Sequence, residues 1–334
     1  MFKRLLGIST LLLLITSCGD TATEPTTVDV AFARTSTPEA LQIVDLGPLR
    51  WARGINARGQ IVGSTGNRAA LWQDGVITDL GTLPGGSRSG ASDINSRGQI
   101  VGSASTPDGT RAFLWEKGTM TNLGTLPGSY YAVPYAINDR GQIVGISPVG
   151  DPEGRRAVLW EKDRVVDLGD LPDGQASDAV DINNRGQVVG SSWSPTTGWR
   201  AVLWENGKWT NLGTLPGGTD SQATAINDRG QIAGYGSTPE GMRAFIWEKG
   251  VMRSLGTLPG GTSSHAMGIN ARGEVVGQSS TPYGTRAFLW HAGVMTELGP
   301  APTSSYASAW AIAINARGQI IGQLDWGRPV LWTR

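Results

Sequence analysis

"INARGQIVG" occupies residues 55–63, and six further copies follow it: INSRGQIVG (94–102), INDRGQIVG (137–145), INNRGQVVG (182–190), INDRGQIAG (226–234), INARGEVVG (269–277) and INARGQIIG (314–322). Asn, Arg and Gly are the same in all seven. A second marker, Arg-x-x-[Leu/Ile]-Trp, ends at Trp72, Trp115, Trp160, Trp204, Trp247, Trp290 and Trp332, so the unit recurs every 42 to 45 residues. Such a period is read before any other fold signal. Each unit holds four short strand-like runs separated by turns. In the second unit these are Ser92–Asn95, Gln99–Gly102, Arg111–Trp115 and Met120–Gly124, here called A, B, C and D. Four short strands per unit of this length predict a propeller blade. Gly or Pro interrupts every stretch long enough for a three-turn helix, which excludes helical repeats. A β-solenoid is the main rival.

The ends of the repeat region favour the ring. It starts with a D-type strand, Leu41–Gly47, and stops on a C-type strand, Pro329–Trp332. Pairing the two completes the last blade and removes the open edges of a linear array. The fold predicted is therefore all-β: a seven-bladed β-propeller over 41–334, four antiparallel strands per blade, with the N-terminal strand completing the last blade.

The motif residues suit a joint between strands A and B. Asn56 fits the first position of a type I turn, where its side chain can bond the backbone two residues on. Gly59 fits the left-handed position after it. A calcium loop would need Asp at alternate positions and a bidentate Glu, which no copy supplies. The seven turn arginines, Arg58, Arg97, Arg140, Arg185, Arg229, Arg272 and Arg317, would lie on one face near the axis. They are either solvated or paired turn residues, or a ring that binds an anion. A second series opening strand C, from Arg68 to Arg328, is expected to bond carbonyls or acids between blades. The strand C tryptophans are expected to pack between blades. Leu83-Pro84-Gly85-Gly86 places Pro and Gly at the centre of a type II turn between D and the next A. A strand follows that turn, whereas a phosphate loop would lead into a helix.

Charge is balanced, with 28 basic and 28 acidic residues, so nothing marks a nucleic-acid partner. Met1-Phe2-Lys3-Arg4 is basic, and Leu5–Ile15 is an apolar run of 11 residues, too short for the ~20 that span a bilayer. Leu14-Ile15-Thr16-Ser17-Cys18 resembles a bacterial lipobox, and Cys18 is the only cysteine. Residues 1–17 thus read as a lipoprotein signal peptide and 18–40 as a lipidated Cys with a flexible tether. Gly19 after the cysteine favours the outer membrane by analogy. Bacterial lipoproteins carry more than one acyl chain, which anchors stably.

LGTLPGG, IN-x-RGQIVG and RAFLW, recurring in fixed order over 41–334, resemble the HAF-type extracellular repeat family of bacteria. Arg stands here where that family's name has His before Ala-Phe. The resemblance implies export and a repeat architecture, and it carries over no catalytic residue.

Function is sought where the units differ. The Asn-to-Trp distance varies from 16 to 22, so length variation lies in the B-to-C loop, longest at 147–154 and 191–199. That face and the D-to-A links collect aromatic candidates for ligand binding: Trp193, Trp199, Tyr130, Tyr131, Tyr235, Tyr283 and Tyr306, with Trp51, His265 and Trp310 near the start of strand A. A sugar stacked on Trp199 or Trp193 is the specific picture; capping of the rim against water is the bland one. Two histidines, His265 and His291, fall at opposite ends of their blades and share no metal. Loop carboxylates such as Asp151, Glu153, Asp173 and Asp178 have the type needed for glycoside cleavage. The reading is a non-catalytic binding module for carbohydrate or protein, monomeric and without cofactor or metal. The alternative is a carbohydrate-active hydrolase or lyase on the same face.

Overall fold

The computed structural model describes residues 41–150, 154–162, 164–299, 308–325 and 327–333. The expected signal segment, Cys18 and the tether lie outside these residues, as do Asp151, Glu153 and Tyr306. Among the described residues, 28 strands form seven four-stranded antiparallel sheets and no residue is helical. The first strand is β1 (Gln42–Asp45). Blade 1 is β2 (Arg50–Ile55), β3 (Ile61–Thr65), β4 (Arg68–Gln73) and β5 (Val76–Asp79). Blade 2 is β6 (Ser89–Ile94), β7 (Ile100–Thr106), β8 (Gly109–Glu116) and β9 (Thr119–Asn122). Blade 3 is β10 (Val133–Ile137), β11 (Ile143–Ile146), β12 (Ala157–Glu161) and β13 (Arg164–Asp167). Blade 4 is β14 (Ala176–Ile182), β15 (Val188–Ser194), β16 (Gly198–Glu205) and β17 (Lys208–Asn211). Blade 5 is β18 (Ser221–Ile226), β19 (Ile232–Thr238), β20 (Gly241–Glu248) and β21 (Val251–Gly256). Blade 6 is β22 (Ser264–Ile269), β23 (Val275–Thr281), β24 (Gly284–His291) and β25 (Val294–Glu297). Blade 7 is β26 (Ala309–Ile314), β27 (Ile320–Leu324) and β28 (Arg328–Thr333), completed by β1.

The ring closes as the chain ends require. β1 runs antiparallel along β28, Ile43 opposite Trp332 and Asp45 opposite Val330. The first strand of each blade packs beside the first strand of the next, and β26 packs beside β2. This is a seven-bladed β-propeller with the first strands innermost.

Seven apolar clusters fill the seven blade interfaces. Between blades 4 and 5, Val189, Ala201, Leu212 and Leu215 meet Ala223, Ile226, Ile232 and Phe245. At the closure, Ile321 and Leu331 meet Leu49, Ile61 and Trp72. The strand C tryptophans pack in these clusters, as their spacing predicts; Trp332 is fully buried. Each fully buried large side chain contributes roughly 1.5–3 kcal/mol, so a sheet apolar on both faces is held by two neighbours.

The turn motif links blades as well as strands. Asn56 Oδ1 accepts the N–H of Arg58 at 3.0 Å and of Gln60 at 3.1 Å, which shapes its own turn. Its Nδ2 donates to the carbonyl of Asn95 in the next blade at 3.0 Å. The same bond passes from Asn95 to Asn138, Asn183, Asn227, Asn270 and Asn315, and Asn315 returns it to the Asn56 carbonyl at 2.9 Å. All seven side chains are buried. Gly59 has φ +85°, the left-handed conformation that its turn needs. The final glycine of the motif serves close approach. A Cβ on Gly190 would overlap the carbonyl oxygen of Asp178 on the neighbouring inner strand.

Strand lengths differ from the sequence reading. In blade 2 the A, B and C runs extend to β6, β7 and β8, because the expected B-to-C loop zips into a ladder ending Thr106 opposite Gly109. The 191–199 segment does the same: Ser191 to Ser194 pair with Ala201 to Gly198, leaving three residues as turn. Within the described part of 147–154, Ser147 N–H reaches the Arg156 carbonyl at 3.0 Å.

Candidate functional site

The inner strands bound a central channel of about 740 Å³. Counting back from each motif Asn gives the inner-strand rows from which most of its lining is drawn. Five residues before Asn stand Trp51, Gly90, Val133, Asp178, Gln222, His265 and Trp310. Three residues before stand Arg53, Ser92, Tyr135, Val180, Thr224, Met267 and Ile312; two before stand Gly54, Asp93, Ala136, Asp181, Ala225, Gly268 and Ala313. Each inner strand slips register just before its Asn, as between Ala91 and Asp93 or Ala179 and Asp181. Such a bulge puts consecutive residues toward the same side and re-aims side chains. Hence both Val180 and Asp181 line the channel.

These rows vary among blades whose turn motifs are nearly identical. Blades 1–4 contribute Arg53, Asp93, Tyr135, Asp178 and Asp181, while blades 5–7 contribute Thr224, Met267 and Ile312. One wall is therefore charged and polar and the other largely apolar. Asp93 Oδ2 accepts the Ile137 N–H at 3.0 Å. Asp181 accepts from Ile182 and, in the next blade, Ile226, both at 2.8 Å. Burial pushes Asp93 up to about 7 against those bonds, and the Asp181 charge adds to the rise. Burial likewise pushes Asp181 up to about 6. Gly54 leaves room for this carboxyl, since a Cβ there would stand 2.8 Å from Asp93 Oδ1. Nearer the mouth, Asp178 Oδ2 accepts from Arg155 at 3.2 Å. Burial outweighs that cation and raises its pKa. Burial also raises Tyr135 and lowers His265.

A side pocket of about 420 Å³ adjoins the channel at blades 6, 7 and 1. Its walls include Trp51, Met267, Trp310, Gln278 and Gln323. Gln278 Oε1 and Gln323 Nε2 are buried without a hydrogen-bond partner, as is Asp178 Oδ1. A buried polar group left unpaired costs about 1–3 kcal/mol. Among the described residues five side-chain atoms are in this condition, and three belong to residues lining the channel or this pocket. Trp51 is 55% exposed and has φ 53°. Every other described non-glycine residue with positive φ lies in a turn. A bulky residue in that region is strained, and such strain gathers at functional sites. The strain arises where β2 inserts two more residues than β3 between Arg50–Ser64 and Gly54–Val62.

The sequence candidates fall into separate places. Trp310 lines the side pocket. His265 lies close by on β22, opposite Gln278, and meets the Tyr235 ring edge-on at 4.7 Å. Tyr235 O–H donates to Gln222 at 3.0 Å. Trp193 and Trp199 are cross-strand partners in blade 4, and Trp193 lines a separate cavity of about 180 Å³. Tyr130 and Tyr131 contact each other at 4.9 Å in the link into blade 3, and Tyr283 is in the β23–β24 turn, 70% exposed. The turn arginines Arg58, Arg97, Arg185 and Arg272 lie over the turn glycines of the following blade. Arg97 also bonds Gln99, and Arg272 pairs with buried Glu274 at 2.6 Å. In the second arginine series, Arg111 and Arg243 reach carbonyls of Tyr130 and Thr262 at the next blade, as expected. Arg68 pairs with Asp79 and Arg286 with Glu297 of their own blades, and Arg286 also donates to the carbonyls of Thr285 and Tyr283.

Arg53, Asp93, Asp181, Gln278 and Gln323 were not among the sequence candidates, whereas Trp51 was, with Trp310, for its place near the start of strand A. The signal was present: aligning the seven strands on Asn exposes three rows that vary beside rows that do not.

No family profile matches the chain, and no curated protein does. Among solved structures, the β-propeller domain of the Trilobed protease from Pyrococcus furiosus aligns with a TM-score of 0.55 at 8% identity, covering 85% of this chain and 93% of that one. That domain has an open velcro topology, whereas here β1 seals the ring. YCF48 from Cyanidioschyzon merolae aligns at 0.54 and 11% identity, covering 88% and 99%. A gluconolactonase from Xanthomonas campestris aligns at 0.47 and 13%, covering 87% and 89%. At these identities the likeness concerns the fold alone.

Proposed function

We propose that this propeller is a non-catalytic binding module that takes a carbohydrate or protein ligand on the face where the D-to-A links and B-to-C hairpins meet the mouth of the channel. The observation that carries this reading is the contrast among the seven copies. Residues that hold the ring repeat, while those facing the channel differ in charge, size and polarity. Symmetric scaffolding needs no such differences; recognition of one ligand does. The titratable groups favour binding over turnover. Asp93 and Asp181 are engaged by backbone N–H groups of neighbouring blades, and His265 rests against Tyr235.

The resemblance to HAF-type repeats and the lipobox at Cys18 support a secreted lipoprotein, anchored to the bacterial envelope and displayed at the outer membrane. A second reading, a carbohydrate-active hydrolase or lyase, draws on the raised pKa values of Asp93 and Asp181, since a carboxyl protonated near neutrality can act as an acid. Both readings meet one experiment: the intact chain screened on a glycan array and against envelope proteins, with turnover followed on every glycan bound. Binding without product supports the module. Product that disappears in Asp93→Asn or Asp181→Asn would replace it with the enzyme, and absence of any ligand would remove it.

A further inference from the structure

We propose that the side pocket between blades 6, 7 and 1 is a subsite for one neutral, hydroxyl-rich sugar ring. This rests on the binding reading above and names the ligand chemistry. Three observations converge on the pocket. The first is its size, about 420 Å³, within the range of small-molecule sites, roughly 300–1,000 Å³. It shares Trp51, Arg53, Met267 and Ile312 with the channel, so a longer ligand can continue toward the axis.

The second is the pair of unpartnered amide ends. Gln278 Oε1 needs a donor and Gln323 Nε2 needs an acceptor. A hydroxyl group supplies either one. The amides hang on a broad terminal torsion, so a small swing turns them toward an incoming ligand. These glutamines occupy matching positions, opposite His265 on β22 and Trp310 on β26. The matching residues of blades 1 and 2 are Ser64 and Ser103, so the amide pair belongs to this side of the ring.

The third is aromatic. Trp51 is exposed at the mouth in a strained backbone conformation and shares the pocket wall with Trp310. Sugar rings present C–H faces that pack on such surfaces, and the rigid indole loses little entropy in doing so. Among the described residues that line the pocket, Arg53 is the one charged group and none is a carboxylate. A guanidinium among neutral amides and indoles suits an uncharged ligand better than a cation.

The test uses the intact chain and the probes methyl β-D-glucopyranoside, methyl α-D-mannopyranoside, methyl β-D-galactopyranoside, maltose and cellobiose, followed by calorimetry. At least one probe is expected to bind. Gln278→Met with Gln323→Met is expected to weaken it at least 10-fold while raising the Tm of the free protein by roughly 2 °C or more, because two unpaired polar groups leave the interior. Trp51→Ala is expected to weaken it similarly, and Trp193→Ala to leave it unchanged. A lower Tm for the double variant with unchanged affinity would overturn the proposal, making the glutamines structural. Failure of all five probes would also overturn it, and so would binding lost in Trp193→Ala but kept in Trp51→Ala. A ligand found on the array but insensitive to the pocket variants would sink this subsite while leaving the module intact.

Discussion

The two ends of the seven inner strands make opposite use of the same chain. At one end each strand runs into Ile-Asn, and the seven Asn side chains close a belt of blade-to-blade hydrogen bonds. At the other end, five residues earlier, the positions hold Trp, Gly, Val, Asp, Gln, His and Trp. The belt satisfies its polar groups: each Asn oxygen accepts two N–H groups and each amide nitrogen donates to the next blade. The mouth leaves Asp178, Gln278 and Gln323 with unpaired buried atoms and Trp51 strained. A repeat that needed only stability would show the belt's economy at both ends. The difference assigns holding to one end and recognition to the other.

The largest way to break this comparison acts on the repeated scaffold glycine beneath the mouth. Gly190→Ala forces a Cβ into the Asp178 carbonyl, backbone against backbone. Denaturant unfolding should show a loss of roughly 4 kcal/mol or more, or no folded protein. A loss below about 1 kcal/mol would mean that the inner strand yields freely. Asn183→Ala comes next. It strands the N–H groups of Arg185 and Gln187 and removes the donor to the Asn227 carbonyl. The expected cost is about 2–4 kcal/mol, and a neutral result would show that water replaces the belt.

The channel acids give the third effect. The folded chain holds protons on Asp93 and Asp181 more tightly than the unfolded chain, whose value is near 3.8. Their stabilising contribution is therefore fully present below about pH 3.8 and is lost as pH rises through about 6 and about 7. Asp139 and Asp228 face them from the turns and act in the same direction. Thermal unfolding should give a higher Tm at pH 5 than at pH 8, worth a few kcal/mol. Asp93→Asn with Asp181→Asn should flatten that dependence; an unchanged slope would place the titration elsewhere. The smallest effect concerns Trp51. Asn tolerates the left-handed conformation better, so Trp51→Asn should gain up to about 1 kcal/mol in chemical denaturation. A loss instead would mean that the indole is held for packing.

Most of the scaffold was legible because it repeats. Seven copies of Asn-x-Arg-Gly fixed the unit, and Leu41–Gly47 facing Pro329–Trp332 fixed the closure. The Asn turn could be read locally, since Oδ1 bonds only two and four residues on. Its inter-blade bond could not, because Asn95 is near Asn56 only once the ring exists. The same holds for Gly190, whose need arises from a bulge in the neighbouring strand. The channel was missed for a related reason. An alternating reading of Ala179 to Asp181 sends Val180 and Asp181 to opposite faces, and the bulge brings both into the channel. Loop length drew attention to 191–199 instead, where Trp193 and Trp199 finish a regular hairpin.

The division between a holding end and a recognising end is tested most directly by hydrogen exchange of the intact chain, free and saturated with the glycan that it binds best. The account predicts that added protection falls on β22, β26, β2 and their β23 and β27 partners near the mouth, with the turn amides of Arg58, Arg97, Arg140, Arg185, Arg229, Arg272 and Arg317 unchanged. Protection spread evenly over all seven blades, or concentrated at those turn amides, would contradict it.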